Sequence, residues 1–150
     1  MMQIRRANLT DAEALATIRR RAIRALAVPS ISLEEAEKWA RQVAANRFTR
    51  AIQDHEVWVA VEAVVIGWVE VDRNCIAGLY VSPSCARKGV GSALLAHAES
   101  SIQSSGCTAV YLDASQNALD FYLRRGYLRA GLPHADGAHP LRKDLTAVEP

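Results

Sequence analysis

The sequence predicts an α/β protein, α+β in a looser scheme, built on a mixed sheet flanked by helices. A strand at residues 75–81, a helix at residues 90–105 and a buried strand at residues 108–112 form a βαβ unit. The strands of such a unit run parallel and are joined by a right-handed crossover. The strand-like segments before and after this unit follow one another through short turns, which favours antiparallel pairing. We therefore expect a parallel pair of strands with antiparallel strands on both sides.

The N-terminal part of the chain favours one strand, at residues 3–6, and two helices. Each helix begins with a hydroxyl side chain and a glutamate three residues later, which is the capping-box pattern. The pairs are Thr10 with Glu13 and Ser32 with Glu35, and they predict helices over residues 10–27 and 32–46.

The rest of the chain alternates between strands and helices. β-Branched and aromatic residues predict two strands that meet at Glu62 and Ala63. Gly106 and Gly126 each end a helix, because glycine readily adopts the left-handed conformation that follows a last turn. The predicted strands are residues 57–61, 64–71, 75–81, 108–112, 127–130 and 141–145, and the helices are residues 90–105 and 117–125.

Composition places limits on the class of protein. With 150 residues, half of them hydrophobic and 23% charged, the chain predicts one globular domain over residues 1–150. The net charge of +2 gives no reason to expect a nucleic-acid or membrane partner. The cysteines at 75, 85 and 107 lack CxxC spacing, so we expect no disulfide framework, no metal site and a cytoplasmic location.

A glycine-bearing loop precedes the helix predicted at residues 90–105. Gly89 and Gly91 let the backbone turn tightly and approach a ligand. The free N–H groups and the dipole of the helix N-terminus favour an anion there, and Arg87 and Lys88 add full positive charges. The loop therefore suits a diphosphate, although two glycines also occur as simple helix caps. The Walker and GxGxxG patterns do not fit, since Lys88 precedes Gly89 and Leu94 replaces a small residue.

Two segments resemble the GCN5-related N-acetyltransferases, the GNAT superfamily. The segment LYVSP at residues 79–83, followed by ARKGVGSALL at residues 86–95, resembles motif A of that family. The segment SQNALDFYLRRGY at residues 115–127 resembles motif B. The two motifs stand in the family's order and spacing, and the flanking helices and strands fit over nearly the whole chain. The resemblance implies the GNAT fold, in which the central parallel strands splay apart, and acetyl-CoA as co-substrate.

The resemblance also implies how acetyl-CoA is bound. The motif A loop would bind the diphosphate, and the backbone near residues 79–81 would bind the pantetheine arm and the thioester carbonyl. Ala86 and Ser115 depart from the family pattern, which commonly has Gln or Arg and Asn there. The implied cofactor-binding residues are Leu79, Tyr80, Val81, Arg87, Lys88, Gly89, Val90, Gly91, Ser92, Ser115 and Asn117.

For catalysis, the resemblance places Tyr122 at the family's general-acid position, where it would protonate the CoA thiolate. The alternative is a core aromatic beside Phe121. The general base is less well defined, because residues 75–81 carry no carboxylate. Glu70 and Asp72 on the preceding strand are the nearest candidates, with a solvated strand face or turn as the simpler explanation for each, and a water relay is equally open.

Several other residues have simpler expected roles. His134 and His139 are expected at the surface of a late loop. The arginines of the first helix are expected to form a solvated face. Trp39, Trp58 and Trp68 are expected in the core or in pocket walls, and Trp68 with Tyr80 could line the acceptor cleft. The arginines concerned are Arg19, Arg20, Arg21 and Arg24.

These observations favour an N-acetyltransferase that moves the acetyl group directly to a primary amine of a small molecule or peptide. The alternative is a non-catalytic acyl-CoA-binding sensor, which would keep Gly89 and Gly91 but would not need Tyr122. Acceptor choice would fall to the first two helices, the loop around Pro29 and the loop near His134. Relatives often form homodimers, which this sequence neither supports nor excludes.

Overall fold

The structure is a computed structural model that describes residues 2–25, 32–41, 43–44 and 46–145. Within these residues the strands are β1 (Gln3–Arg6), β2 (Glu56–Glu62), β3 (Val64–Asp72), β4 (Cys75–Val81), β5 (Ala109–Ala114), β6 (Leu128–Arg129) and β7 (His139–Asp144). The helices are α1 (Ala12–Ala25), α2 (Leu33–Arg41), α3 (Arg47–Asp54), α4 (Val90–Ser104) and α5 (Leu119–Leu123).

The strands form one sheet in the order β1-β2-β3-β4-β5-β7-β6. The β4–β5 pair is parallel, and every other neighbouring pair is antiparallel. Helix α4 connects the two parallel strands, as the predicted βαβ unit requires. The prediction of a mixed, mostly antiparallel sheet with a central parallel pair is therefore confirmed.

The parallel pair separates soon after it begins. β4 pairs with β5 only where Cys75 faces Tyr111 and Ile76 faces Leu112. On the other side of β4, Gly78 lies opposite Glu70 but Ile76 lies opposite the next residue of β3, so Ala77 is left over as a β-bulge. A bulge bends its strand and increases the local twist. The bend turns the second half of β4 away from β5 and opens a gap in the sheet.

Each face of the sheet is covered by helices. On one face, the apolar side of α4 packs on β3, β4 and β5, and this cluster forms the larger part of the core. On the other face, α1 and α3 pack on β2 and β3 around the buried Trp68. The indole Nε1 of Trp68 donates to the backbone carbonyl of Leu15 at 3.1 Å, which ties α1 to the sheet. The gap in the sheet therefore lies between two layers of helices.

The start of the first helix differs from the predicted one. Asn8 caps a short 3-10 turn, Leu9–Asp11, that leads into α1, and Asp11 completes the capping box. The predicted pair of Thr10 and Glu13 is wrong, because Asn8 Oδ1 already accepts from the Thr10 N–H and the Asp11 carboxylate accepts from the Asn8 N–H. The second predicted cap is confirmed, since Ser32 Oγ accepts from the Glu35 N–H at 3.1 Å.

The second predicted helix ends earlier than expected, and an unpredicted helix follows it. α2 ends at Arg41, and α3 runs from Arg47 to Asp54 in a stretch for which no helix was predicted. α3 buries Phe48 and Ala51, with the partly buried Ile52 packed on the same cluster, and it has no side-chain cap. The helix is only eight residues long, and no capping side chain marks its start. The predicted end of the first helix, at residues 26–27, lies outside the described residues.

Strand boundaries shift by a few residues. β5 extends to Ala114, β6 contains only Leu128 and Arg129, and β7 begins at His139. The helix predicted at residues 117–125 is limited to Leu119–Leu123. β2 and β3 are joined through Ala63 alone, whose φ is 63°. That left-handed value is uncommon for a residue with a Cβ, which explains why the sequence gives no clear turn signal there.

The Arg5–Asp11 pair yields a test of the N-terminal architecture. The guanidinium of Arg5 donates to both oxygens of Asp11 at 2.8 and 3.0 Å, and these bonds hold the pKa of the Asp11 carboxyl below its usual range. The stability that the Asp11 carboxylate contributes to the fold is therefore complete above its unfolded pKa of about 4. It is lost as the pH falls through the lower pKa of the folded state.

We expect Asp11→Asn to lower the free energy of unfolding by about 1 kcal/mol at pH 7, because the capping box and the ion pair are both weakened. Urea unfolding at pH 7 and pH 3 measures this, and the difference between the variant and the parent should shrink at pH 3. Asp54→Asn, on an exposed i,i+4 pair, is the matched control. An equal loss at both pH values would contradict the role of the Asp11 charge.

Candidate active site

The gap between β4 and β5 opens into a cavity of about 760 Å³. Its floor is the diverging halves of the two strands, and its sides come from α1, α2, α5 and the loop before β7. The residues that line it are Ala22, Ile23, Glu35, Trp39, Ile76, Ala77, Gly78, Leu79, Tyr80, Val81, Leu112, Asp113, Ala114, Ser115, Gln116, Asn117, Ala118, Tyr122, Asp136, Gly137 and Ala138. Residues from six separate segments thus converge where the sheet is open.

Many of the site residues expected from the sequence meet in this cavity. They come from the end of β4, from the segment after β5 and from α5. The six are Leu79, Tyr80, Val81, Ser115, Asn117 and Tyr122. Since β4 has no strand partner on its β5 side beyond Ile76 in the described sheet, its backbone there is free to bind an extended ligand.

The glycine loop lies beside this cavity rather than in its wall. Arg87 and Gly89 have φ values of 64° and 82°, and left-handed values of this kind occur in the concave backbone nests that bind anions. Gly89 caps α4 without a side-chain hydrogen bond, and the first turn of α4 has no acidic residue. A Cβ on Gly91 would lie 3.4 Å from the Phe121 ring and 3.6 Å from Val81, so the loop is packed against α5 and β4.

Tyr122 lies between the cavity and the core. Its side chain lines the cavity and is 7% exposed. Its ring packs edge-on against Phe121 and Tyr127, with centroids 5.1 and 5.5 Å away. Burial, with a smaller contribution from Tyr80, raises the pKa of the phenol well above its ordinary value. The phenol is therefore protonated at neutral pH.

Glu70 is placed differently from the expected strand face. It is 1% exposed, so the expectation of a solvated position is wrong. Its Oε1 accepts from Arg47 Nη2 at 2.5 Å, and its Oε2 lies 2.6 Å from His55 Nδ1. His55 Nε2 lies 3.5 Å from Asp72, which is half exposed. Glu70 does not line the cavity, but it faces Gly78 across the β3–β4 pair, and Gly78 does.

Arg47 and His55 were not singled out from the sequence. Arg47 is the first residue of α3 and His55 directly follows its last, and α3 is the helix that the sequence pattern did not predict. The signal that could have found them is chemical: an ionised Glu inside a strand of otherwise apolar residues must be paired if it is buried.

Some aromatic and basic residues on the α1 side of the sheet also have contacts that differ from those expected. Trp39 and Tyr80 line the cavity, whereas Trp68 lies below it with its ring centroid 5.2 Å from Tyr80. The prediction that Trp68 lines the cleft is therefore wrong. Trp68 packs against Tyr80, which does line the cavity. Arg19 is not simply solvated, because it donates to the carbonyls of Trp39 and Ala40 and lies 5.9 Å above the Tyr80 ring.

The cavity wall also contains carboxylates that sequence reasoning missed. Glu35, Asp113 and Asp136 line it, and among the lining residues that the structure describes there is no Lys, Arg or His. His134 Nε2 lies 2.9 Å from Asp113 at the surface, and His139 Nε2 lies 2.8 Å from Gln116. The three carboxylates therefore put negative charge beside the aromatic rings of the wall, with the Arg19 guanidinium 5.9 Å from the Tyr80 ring and the His134 imidazole 2.9 Å from Asp113. In the part of the chain that the structure describes, no helix has the length and apolar character needed to span a membrane.

Comparison with known proteins identifies the class. Residues 27–137 match the family model of the acetyltransferase (GNAT) domain. The uncharacterized N-acetyltransferase YafP of Escherichia coli K12 is 32% identical over 127 residues, which cover 84% of this chain and 81% of YafP. The chain belongs to the GNAT superfamily of acetyl-CoA-dependent N-acetyltransferases.

Solved structures agree on the fold. A GCN5-related N-acetyltransferase from Rhodopseudomonas palustris superposes with a TM-score of 0.86 at 24% identity, over 95% of both chains. PaiA N-acetyltransferase from Thermoplasma acidophilum, in complex with coenzyme A, gives 0.80 at 21% identity over 96% of this chain and 99% of PaiA. YncA from Salmonella typhimurium, with acetyl-CoA, gives 0.68 at 19% identity over 100% of this chain and 97% of YncA.

Proposed function

We propose that this chain, folded as one domain over residues 1–150, transfers an acetyl group from acetyl-CoA directly to a primary amine of a small molecule or peptide. The observation that carries the proposal is the gap between β4 and β5, which Tyr122 borders from one face and an acidic, aromatic wall from the other. One opening in the sheet thus gives both substrates access to the same place.

The cofactor half of the site follows from the backbone. The free edge of β4 at Leu79, Tyr80 and Val81 suits the amides of a pantetheine arm, which would extend the sheet as a strand does. Ser115 and Asn117 would contact the arm from the other side of the gap. The diphosphate would lie on the free N–H groups at the start of α4, beside Arg87 and Lys88. The fold-level similarity to PaiA with coenzyme A and YncA with acetyl-CoA supports this assignment.

The chemistry is an acyl transfer. The amine nitrogen attacks the thioester carbonyl carbon, and a backbone N–H of the β4 edge stabilises the oxyanion that forms. The carbon–sulfur bond then breaks, and the Tyr122 hydroxyl gives its proton to the departing CoA sulfur. The phenolate takes back, through water, the proton that the attacking nitrogen gives up. Because burial raises the pKa of Tyr122, the hydroxyl still carries this proton at neutral pH.

The amine must lose a proton, since a lysine-like amine has a pKa of about 10.4. Both oxygens of Glu70 are occupied by Arg47 and His55, and Glu70 does not line the cavity. We therefore place the proton's exit through water in the open cavity, with Glu70 supporting the β3 wall behind Gly78.

The acceptor wall favours a cationic or neutral amine over an anionic one. Glu35, Asp113 and Asp136 attract a protonated amine and repel a carboxylate. Trp39 and Tyr80 add aromatic surface that can contact an aliphatic or cationic group.

We expect Tyr122→Phe to lower kcat tenfold or more, because the thiolate loses its proton donor, while the affinity for CoA remains the same. Steady-state kinetics and calorimetric CoA binding measure the two quantities. Tyr111→Phe, on the exposed face of β5, is the matched control and should change neither. An unchanged kcat in Tyr122→Phe would overturn the assignment.

We expect Glu70→Gln to lower the melting temperature, because charged hydrogen bonds to Arg47 and His55 are lost. If the amine proton leaves through water, the acidic limb of the kcat/KM profile against pH stays in place. Asp72→Asn, which also removes one charge next to His55, is the control for stability. A loss of that limb with a fall in kcat of about 100-fold would instead make Glu70 the general base.

An amine panel tests the acceptor half. Release of free thiol from acetyl-CoA is measured with butylamine, 1,4-diaminobutane and 4-aminobutanoate, which have the same carbon chain and different charge. We expect kcat/KM for 4-aminobutanoate to be at least tenfold below the others, because the acidic wall repels it. Preference for the anionic amine would overturn this acceptor wall. CoA binding without thiol release for any amine would favour the non-catalytic sensor.

A further inference from the structure

Arg125, just after α5, reaches across to the start of α4. Its Nε and Nη2 donate to Ser92 Oγ at 2.9 and 2.5 Å, and its Nη1 donates to the backbone carbonyl of Phe121 at 2.8 Å. Its guanidinium lies 3.7 Å from the centroid of the Phe121 ring. Stacking and three hydrogen bonds together fix the guanidinium in one orientation.

The neighbouring arginine behaves differently. Arg124 pairs with Asp120 one turn earlier at 2.9 Å, and both side chains are about three-quarters exposed. Arg125, by contrast, forms no ion pair with a carboxylate in the described part of the chain, and its partners are a hydroxyl, a carbonyl and a ring. Its positive charge therefore remains uncompensated.

The place of that charge is electrostatically unfavourable without an anion. Ser92 is the third residue of α4, at the positive end of the helix dipole, and α4 has no acidic residue in its first turn. A cation at a helix N-terminus is destabilising by the same rule that makes an anion stabilising there. Two more positive side chains, Arg87 and Lys88, come directly before α4 in the sequence, and Arg125 contacts its first turn.

The hydrogen-bond directions show how Arg125 could act. A guanidinium can only donate, so Ser92 Oγ must accept both bonds from Arg125. The hydroxyl proton of Ser92 is then left to point towards a third group. On the same first turn of α4, the N–H groups of Val90, Gly91 and Ser92 have no partner within the helix. A phosphate group in front of this turn would accept hydrogen bonds from the Ser92 hydroxyl and from these N–H groups.

We propose that Arg125 is a positioning residue that orients the Ser92 hydroxyl as a donor to the diphosphate of acetyl-CoA. This inference rests on the proposed function, since it takes the start of α4 as the diphosphate site. Through Phe121 it also couples that site to α5, the helix that carries Tyr122.

The test compares binding of CoA and of pantetheine, which lacks the diphosphate, by calorimetry. The variants are Arg125→Gln, Ser92→Ala, the double variant and Arg125→Lys, and Arg124→Gln is the control. We expect each single variant to lower CoA affinity about tenfold, the double variant to lose no more than a single one, and pantetheine affinity to stay the same. Arg125→Lys should not restore affinity, because one ammonium cannot make the pair of hydrogen bonds that Nε and Nη2 of Arg125 make to Ser92 Oγ.

Kinetics separate positioning from structural damage. We expect Arg125→Gln to raise the KM for acetyl-CoA while kcat at saturating acetyl-CoA stays within twofold. Additive losses in the double variant, equal losses for CoA and pantetheine, or full rescue by Arg125→Lys would each overturn the inference. If the unaltered chain binds CoA and releases thiol while the variants match it, only this inference fails. If the unaltered chain does not bind CoA, the proposed function fails with it.

Discussion

The separation of β4 from β5 is the constraint on which the rest of the site depends. A strand inside a sheet normally satisfies its backbone groups on both sides, yet β4 pairs with β5 only at Cys75 and Ile76. The bulge at Ala77 makes this divergence, and the pairing of β4 with β3 continues to Val81, so the strand stays anchored while one edge is exposed. The Ser82 N–H then donates to the Ile66 carbonyl at 2.8 Å, which fixes the end of the strand. The opening is therefore built into the sheet itself.

Close packing on both faces sets the shape of that opening. A Cβ on Gly78 would lie 3.1 Å from the Trp68 ring, and a Cβ on Gly67 would lie 3.0 Å from Leu94. Glycine at these two positions lets the Trp68 ring and the first turns of α4 approach the strands. Trp68 in turn packs against Tyr80, a residue of the cavity wall. This part of the cavity wall is thus supported by a core residue that does not line the cavity.

The sequence predicts the central architecture well because the motifs and the strongly periodic segments coincide there. The bounds of β4 are correct, α4 is correct to one residue, and the resemblance of residues 79–95 and 115–127 to two family motifs gave the fold. α3 was missed because it is only eight residues long and no capping side chain marks its start, and with it the partners of Glu70 were missed. The acidic wall was missed for another reason, since Glu35, Asp113 and Asp136 come together only when α2, β5 and the late loop meet across the gap.

The two halves of the site differ in how they are held, and this difference bears on how the activity could change. The proposed cofactor half consists of backbone and of groups fixed by packing, such as the Gly91, Phe121 and Arg125 contacts. The proposed acceptor half uses exposed carboxylates on α2 and on the loop before β7, where Asp136 Oδ1 accepts from the Ala138 N–H. Substitutions on α2 or this loop change surface charge at little cost in stability, whereas substitutions around Gly91 must displace a packed ring. Substitutions can therefore change the charge of the proposed acceptor wall while the proposed acetyl-CoA site keeps its geometry.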